Sequence, residues 1–129
     1  MVQLTFSDSD AFQEHRLFFA CSHSHSHSYS HALCDQLDRA WTSVPLNLAE
    51  GNGKYTAPDR CRYFENARGS ALECAACLDV LVAKGRCTTE QIWRGKELLN
   101  ETVSLVMGLV KSIAPERIRE EPPAYGSSV

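Results

Sequence analysis

Apolar residues recur at helical spacing in four successive stretches of the chain. In the first stretch they are Phe12, Phe18 and Phe19, and in the second Leu33, Leu37, Ala40, Trp41, Val44 and Leu48. In the third they are Phe64, Ala67, Ala71, Ala75, Leu78 and Val82, and in the fourth Ile92, Leu99, Val103, Val106, Val110 and Ile113. Spacings of three, four and seven place such residues on one face of a helix. The pattern therefore predicts four helices, at about 9–24, 31–50, 57–84 and 88–113.

The expected helix starts carry residues that cap a helix N-terminus. Thr56 or Ala57 lies near the N-cap of the third helix, with Pro58 in its first turn, and Thr88 or Thr89 can cap the fourth. Such side chains accept hydrogen bonds from backbone N–H groups that the first turn leaves unpaired. These signals fix where the last two predicted helices begin.

Glycine and proline mark the expected helix ends. Gly51 and Gly53 are predicted to end the second helix and to let the chain reverse through left-handed backbone conformations. Gly85 follows the third helix, and Pro115 stops the fourth.

Short connections make successive helices antiparallel neighbours. We therefore predict an all-α fold, an antiparallel up-down-up-down four-helix bundle over residues 1–118, followed by a disordered tail at 119–129. Several apolar residues of the second and third helices lie off the inner stripe, and they suggest a subunit interface of a homo-oligomer. They are Leu46, Ala49, Leu72, Cys77 and Val80.

Composition narrows the class of protein. Apolar residues make up 43% and charged residues 22%, and no apolar run approaches the ~20 residues that span a bilayer. The start of the chain lacks the basic and apolar regions of a secretory signal, so we expect a cytoplasmic protein with six reduced cysteines and no membrane partner. The net charge of -3 indicates no general attraction to DNA or RNA, which would need a local basic patch.

The second and third helices carry an unusual set of residues in a fixed order. They are Gln36-Leu37, Arg39-Ala40, Ser43, Pro45, Asn47, Ala49-Glu50-Gly51, Gly53, Arg60, Phe64, Ala67-Arg68-Gly69-Ser70 and Glu73. In these residues the chain resembles the four-helix-bundle proteins related to those encoded in 23S rRNA intervening sequences. The resemblance implies a ring-shaped oligomer, a pentamer, without enzyme activity or cofactor. It also implies a distant relation to accessory proteins of diversity-generating retroelements, which bind RNA and a reverse transcriptase.

The motif residues have a structural interpretation. Pro45 supplies no backbone N–H, and Asn47 could bond to groups that it leaves unpaired. Salt bridges from arginine to carboxylate could fix the register of the paired helices. The residues concerned are Arg39, Glu50, Arg68 and Glu73. The alternative is a polar pocket around Asn47, Glu50, Lys54 and Arg68 that receives a ligand or a partner's side chain.

Two further functions remain open from the sequence. An assembled ring could gather Lys54, Arg60, Arg62 and Arg68 into a basic strip that binds RNA. The serine- and histidine-rich run contains weak candidates for metal ligands, namely His23, His25, His27 and His31. Cys74 and Cys77 form a C-x-x-C inside a helix, where neither a zinc site nor a redox thiol is expected.

Overall fold

The computed structural model describes residues 28–115, with side chains from residue 32 onward. This part of the chain forms three α-helices and contains no strand: α1 (Ser28–Gly53), α2 (Ala57–Ala83) and α3 (Thr89–Ile113). They correspond to the second, third and fourth predicted helices. The predicted helix at 9–24 and the predicted tail at 119–129 lie outside the described residues.

The middle helix, α2, packs against both of its neighbours. Among these three helices, α1 contacts α2 along its length and α2 contacts α3, whereas α1 and α3 do not approach each other. Linkers of three and five residues join the helices, so each runs antiparallel to the one before. The fold is therefore all-α, as predicted.

Threonine caps begin α2 and α3 at the predicted places. Thr56 Oγ1 accepts a hydrogen bond from the backbone N–H of Asp59 at 3.3 Å, and Pro58 lies in the first turn. Thr88 and Gln91 form a reciprocal capping box, with N to O distances of 2.9 and 3.2 Å. Each cap satisfies N–H groups that would otherwise lack a partner, and a cap of this kind stabilises a helix by about 1 kcal/mol.

The core contains the predicted inner stripes and some residues that were not predicted. Every residue of the three predicted stripes is buried or packs against the core. The unpredicted core members on α2 are Cys61, Cys74, Cys77 and Leu81. Cys77 was expected on the outer surface of α2, and that prediction is wrong because its side chain is only 6% exposed.

α1 ends at Gly53, but the left-handed conformation predicted for Gly51 and Gly53 is wrong. Within the described residues the positive-φ conformation occurs at Gly85 alone, with φ of 66°. A Cβ at position 51 would lie 2.7 Å from Cε1 of Phe64, a ring that is completely buried. Gly51 is therefore required for the close approach of α1 to α2 and not for a reversal of the backbone.

Candidate functional site

Ser43, Asn47 and Ser70 form a hydrogen-bonded cluster between α1 and α2. The hydroxyl oxygens of Ser43 and Ser70 are 2.8 Å apart. Asn47 Nδ2 donates to the Ser43 carbonyl at 2.8 Å and to the Ser43 hydroxyl oxygen at 2.9 Å. All three side chains are half-buried. The cluster joins the two helices through groups that do not titrate near neutral pH, so it can fix helix register but offers no acid, base or activated nucleophile.

Asn47 donates a hydrogen bond to a backbone carbonyl, as expected. This carbonyl is not the one that Pro45 leaves without a donor. The missing N–H of Pro45 would have pointed at the carbonyl of Trp41, four residues earlier. The Asn47 amide reaches Ser43 instead. Asn47 therefore bonds within α1, to the serine that meets Ser70 of α2, and does not replace the bond that Pro45 lacks.

The expected arginine to carboxylate pairs between α1 and α2 are not formed in the described part of the chain. Gln36 donates from its side-chain amide to Glu73, and Arg39 donates to Gln36 Oε1 at 2.6 Å. Arg39 thus reaches the carboxylate only through Gln36, because Gln36 lies between them on the exposed edge of the contact. The other two members do not pair with each other either. Glu50 pairs with Lys54 at 3.1 Å, one turn further along the chain, and Arg68 lies exposed on α2.

Two cations flank one aromatic ring where α1 turns into α2. Lys54 Nζ and Arg62 Cζ each lie 5.1 Å from the centre of the Tyr63 ring. The hydrogen bond that Lys54 donates to Glu50, together with the neighbouring Tyr63, raises the pKa of Lys54. Tyr55, in the linker beside them, is fully exposed. Each cation also has a carboxylate partner, Glu50 for Lys54 and, at 3.9 Å, Asp59 for Arg62. This end of the helical pair therefore combines exposed ion pairs with accessible aromatic surface.

The four residues of the expected basic strip do not share one face of the chain. Arg60 and Arg62 are two positions apart on α2, so they point about 200° away from each other. Arg60 is half-buried, and its Nε is buried without a hydrogen-bond partner in the described part of the chain. Within one chain the geometry brings together only Lys54 and Arg62.

The side of α2 that faces away from the core carries a continuous line of apolar or small residues. Its members are Gly69, Leu72, Ala76, Val80 and Ala83, all exposed, and we call them the outer seam. Their spacings of three, four, four and three place them on one helix face. Leu72 is 48% and Val80 is 39% exposed. The sequence pointed to Leu72 and Val80, but the complete seam emerges only once the positions of α1 and α3 are known.

Comparison with known proteins identifies the family. The family model described as 23S rRNA-intervening sequence protein matches residues 10–108, which include α1, α2 and most of α3. The chain belongs to this family. No curated protein and no solved structure matches it significantly.

The five cysteines that the structure describes in this 23S rRNA-intervening sequence protein family member act as small apolar residues. Cys34, Cys61, Cys74 and Cys77 are buried with free thiols, and Cys87 is half-buried. Burial raises the pKa of the Cys74 thiol to about 12, and burial also raises that of Cys77. A redox-active thiol needs a lowered pKa, whereas both thiols of the C-x-x-C in α2 have a raised pKa.

Two further features, a metal site and a membrane-spanning helix, can be assessed in the part of the family member that the structure describes. His23, His25 and His27 lie outside the described residues, and so does the side chain of His31. Within 32–115 no three His, Cys, Asp or Glu side chains are grouped so that they could hold a metal ion. None of the three helices combines the length and apolarity needed to cross a bilayer.

Proposed function

We propose that this family member is a non-enzymatic subunit of a homo-oligomer and acts as a scaffold or accessory factor. The outer seam is the observation that carries the proposal. Its five members extend over about 21 Å of helix at 1.5 Å per residue. A helix that is apolar on both its inner and outer faces is usually covered on both.

The seam fits a helix better than it fits a flat surface. Spacings of three and four are those at which side chains of one helix insert between side chains of another. Gly69 and Ala76 lower the surface at two points of the seam, while Leu72 and Val80 project from it. A second copy of the chain supplies such a partner, because its helices carry small and apolar residues at the same spacings of three and four.

The helix arrangement favours closure into a four-helix bundle within each subunit. α2 contacts α1 and α3, which do not contact each other, and this is the pattern of three consecutive corners of a square bundle. The apolar residues Phe12, Phe18 and Phe19 of the predicted helix at 9–24 suit the fourth corner, between α1 and α3. That helix would leave the outer seam uncovered, because the seam is on the opposite side of α2.

A closed ring requires two different surfaces on each subunit. The outer seam supplies one, and the face of α1 around Leu46, which is 63% exposed, supplies the second. The ring of five subunits comes from the family resemblance, and the two unlike apolar faces are compatible with it.

Glutamate substitutions on the seam test this assembly. Val80→Glu and Leu72→Glu should each yield smaller particles in light scattering, with the helical circular dichroism of the parent, because a charge buried between subunits is costly. Leu105→Glu is the matched control, since Leu105 is 66% exposed on α3 and lies off the seam. Parental mass for both seam variants, or a monomeric parent, would disprove the proposed role of the seam.

RNA association is the second candidate function, supported by the cations on Tyr63 and the exposed Tyr55. Unpaired bases stack on accessible aromatic rings, and nearby Lys and Arg neutralise phosphates. A Lys54→Glu, Arg62→Glu double variant should lose co-purified nucleic acid, measured by the ratio of absorbance at 260 and 280 nm. A Lys84→Glu, Lys111→Glu variant, at two exposed positions elsewhere, controls for the same change in net charge. An unchanged ratio in the double variant would rule out this surface.

A further inference from the structure

An open cleft lies between the C-terminal end of α2 and the N-terminal half of α3. Its volume is about 520 Å³, within the range of clefts that hold small organic molecules. The apolar wall consists of Val82, Ala83, Ile92 and Trp93. Trp93 is 61% exposed, so a large part of its indole remains available to a ligand.

The charged groups around this cleft favour a cation. Asp79 and Glu97 supply two carboxylates, and Lys96 supplies one ammonium group. Lys96 Nζ is already bound to Asp79 Oδ1 at 2.6 Å across the two helices. Glu97 has a longer contact, 3.4 Å, to Arg94 of its own helix. The lining thus has two carboxylates against one ammonium, and the second carboxylate, Glu97, is offset only through its longer contact with Arg94 outside the lining. Glu97 is therefore the carboxylate with the weaker partner.

We propose that the cleft binds a small organic cation, an aliphatic amine or guanidine whose charged group lies between the Trp93 ring and the Glu97 carboxylate. The face of an indole attracts cations more strongly than any other side-chain ring, and a carboxylate beside it adds a charge-assisted hydrogen bond. The aliphatic part of the ligand would contact Val82 and Ile92 on the apolar wall. The site meets the outer seam at Ala83, whereas Trp93 and Glu97, which would contact the charged group, lie on α3 outside the seam.

Agmatine is a suitable probe, because it carries a guanidinium and an ammonium on a four-carbon chain. In a Trp41→Phe background Trp93 is the remaining tryptophan, so its fluorescence reports the cleft directly. We expect the Trp93 fluorescence to change saturably as agmatine is added, with a dissociation constant of roughly millimolar size, since the site is open and the ligand is small. Hexanoate, an anion of similar length, should produce no saturable change.

Two neighbouring substitutions separate the Glu97 carboxylate from its ion-pair partner. Glu97→Gln should weaken agmatine binding by about fivefold or more, because it removes the charge from the hydrogen bond. Arg94→Gln disrupts the same ion pair but keeps the carboxylate, so binding should be unchanged or tighter. Lys96→Met frees Asp79 and should tighten binding severalfold. Circular dichroism of each variant verifies that the fold is retained.

Four outcomes would overturn the proposal. Three are a Trp93 signal that does not saturate with agmatine, equal binding of hexanoate, and a Glu97→Gln variant that binds as tightly as the parent. Equal weakening in Arg94→Gln and Glu97→Gln would also overturn it, because the effect would then come from the ion pair and not from contact with the ligand.

Discussion

Replacement of Gly51 by alanine should destabilise the fold, although alanine is the better helix former. A Cβ at this position would lie 2.7 and 2.8 Å from two ring carbons of Phe64 and 3.2 Å from Cβ of Tyr63. Carbon atoms prefer separations of about 3.5–4.0 Å, so the overlap with the Phe64 ring is about 1 Å. Phe64 is completely buried and cannot turn away without displacing other core residues.

Two opposing effects set the size of the change. Overpacking of this kind costs about 1–3 kcal/mol, and alanine recovers about 0.5–1 kcal/mol through its helix preference. We expect the free energy of unfolding to fall by about 1–2 kcal/mol. Gly108→Ala is the matched control, because Gly108 lies inside α3 and an added Cβ would meet no atom within 4 Å there. This control should become more stable by about 0.5–1 kcal/mol.

Urea denaturation at one fixed subunit concentration measures both variants, since the stability of an oligomer depends on concentration. A double-mutant cycle with Phe64→Leu locates the clash. The smaller side chain should reduce the cost of Gly51→Ala, so the two substitutions should be clearly non-additive. A Gly51→Ala protein as stable as the parent, or strict additivity with Phe64→Leu, would refute the role assigned to Gly51.

Three other predictions concern the hydrogen bonds, the caps and the buried thiols. Asn47→Ala should lower the free energy of unfolding by about 1–2 kcal/mol, because the carbonyl and hydroxyl oxygens of Ser43 lose their amide donor within α1. Urea denaturation measures this, and an unchanged midpoint would contradict it. Thr88→Ala should lower the free energy of unfolding by about 1 kcal/mol, because the helix loses its N-terminal cap, whereas Thr88→Ser should be close to the parent. Urea denaturation measures both, and equal losses in the two variants would exclude the capping role. Below pH 9 the Cys74 thiol is protonated in both the folded and the unfolded chain. Above pH 9 the thiol of the unfolded chain ionises first, because the pKa in the folded chain is raised to about 12. The free energy of unfolding should therefore fall between pH 9 and about 12. A Cys74→Ala variant should show a smaller fall over that range, and an identical pH profile would contradict the assignment to Cys74.

The helices could be predicted from the sequence because two independent signals agreed at their ends and along their faces. The stripe that contains Leu37, Val44 and Leu48 is buried in α1, and Thr56 and Thr88 cap the helices at the predicted positions. Periodicity and capping both depend on residues close in the chain, so the sequence contains them directly.

Contacts between helices were harder to predict because they depend on the distance and rotation of the partner. The fit of Gly51 against Phe64 appears only when α1 and α2 are placed together, whereas a glycine near a helix end is usually a terminator. The same limit explains why a salt bridge between Arg39 and a carboxylate was predicted. Gln36 lies one turn earlier on the same face and reaches Glu73 first.

The two apolar sides of α2 show why a pattern alone could not separate core from interface. α2 carries small or apolar residues beyond its predicted inner stripe, so the stripe alone does not show where the core ends and the outer surface begins. Cys77 and Val80 are three positions apart, yet the first is buried beneath its neighbours and the second is exposed. What decides between them is the direction from which α1 and α3 approach. Both occupy the same side of α2, so the residues left on the far side form a separate surface, and a second helical partner is the simplest reason for that surface to be apolar.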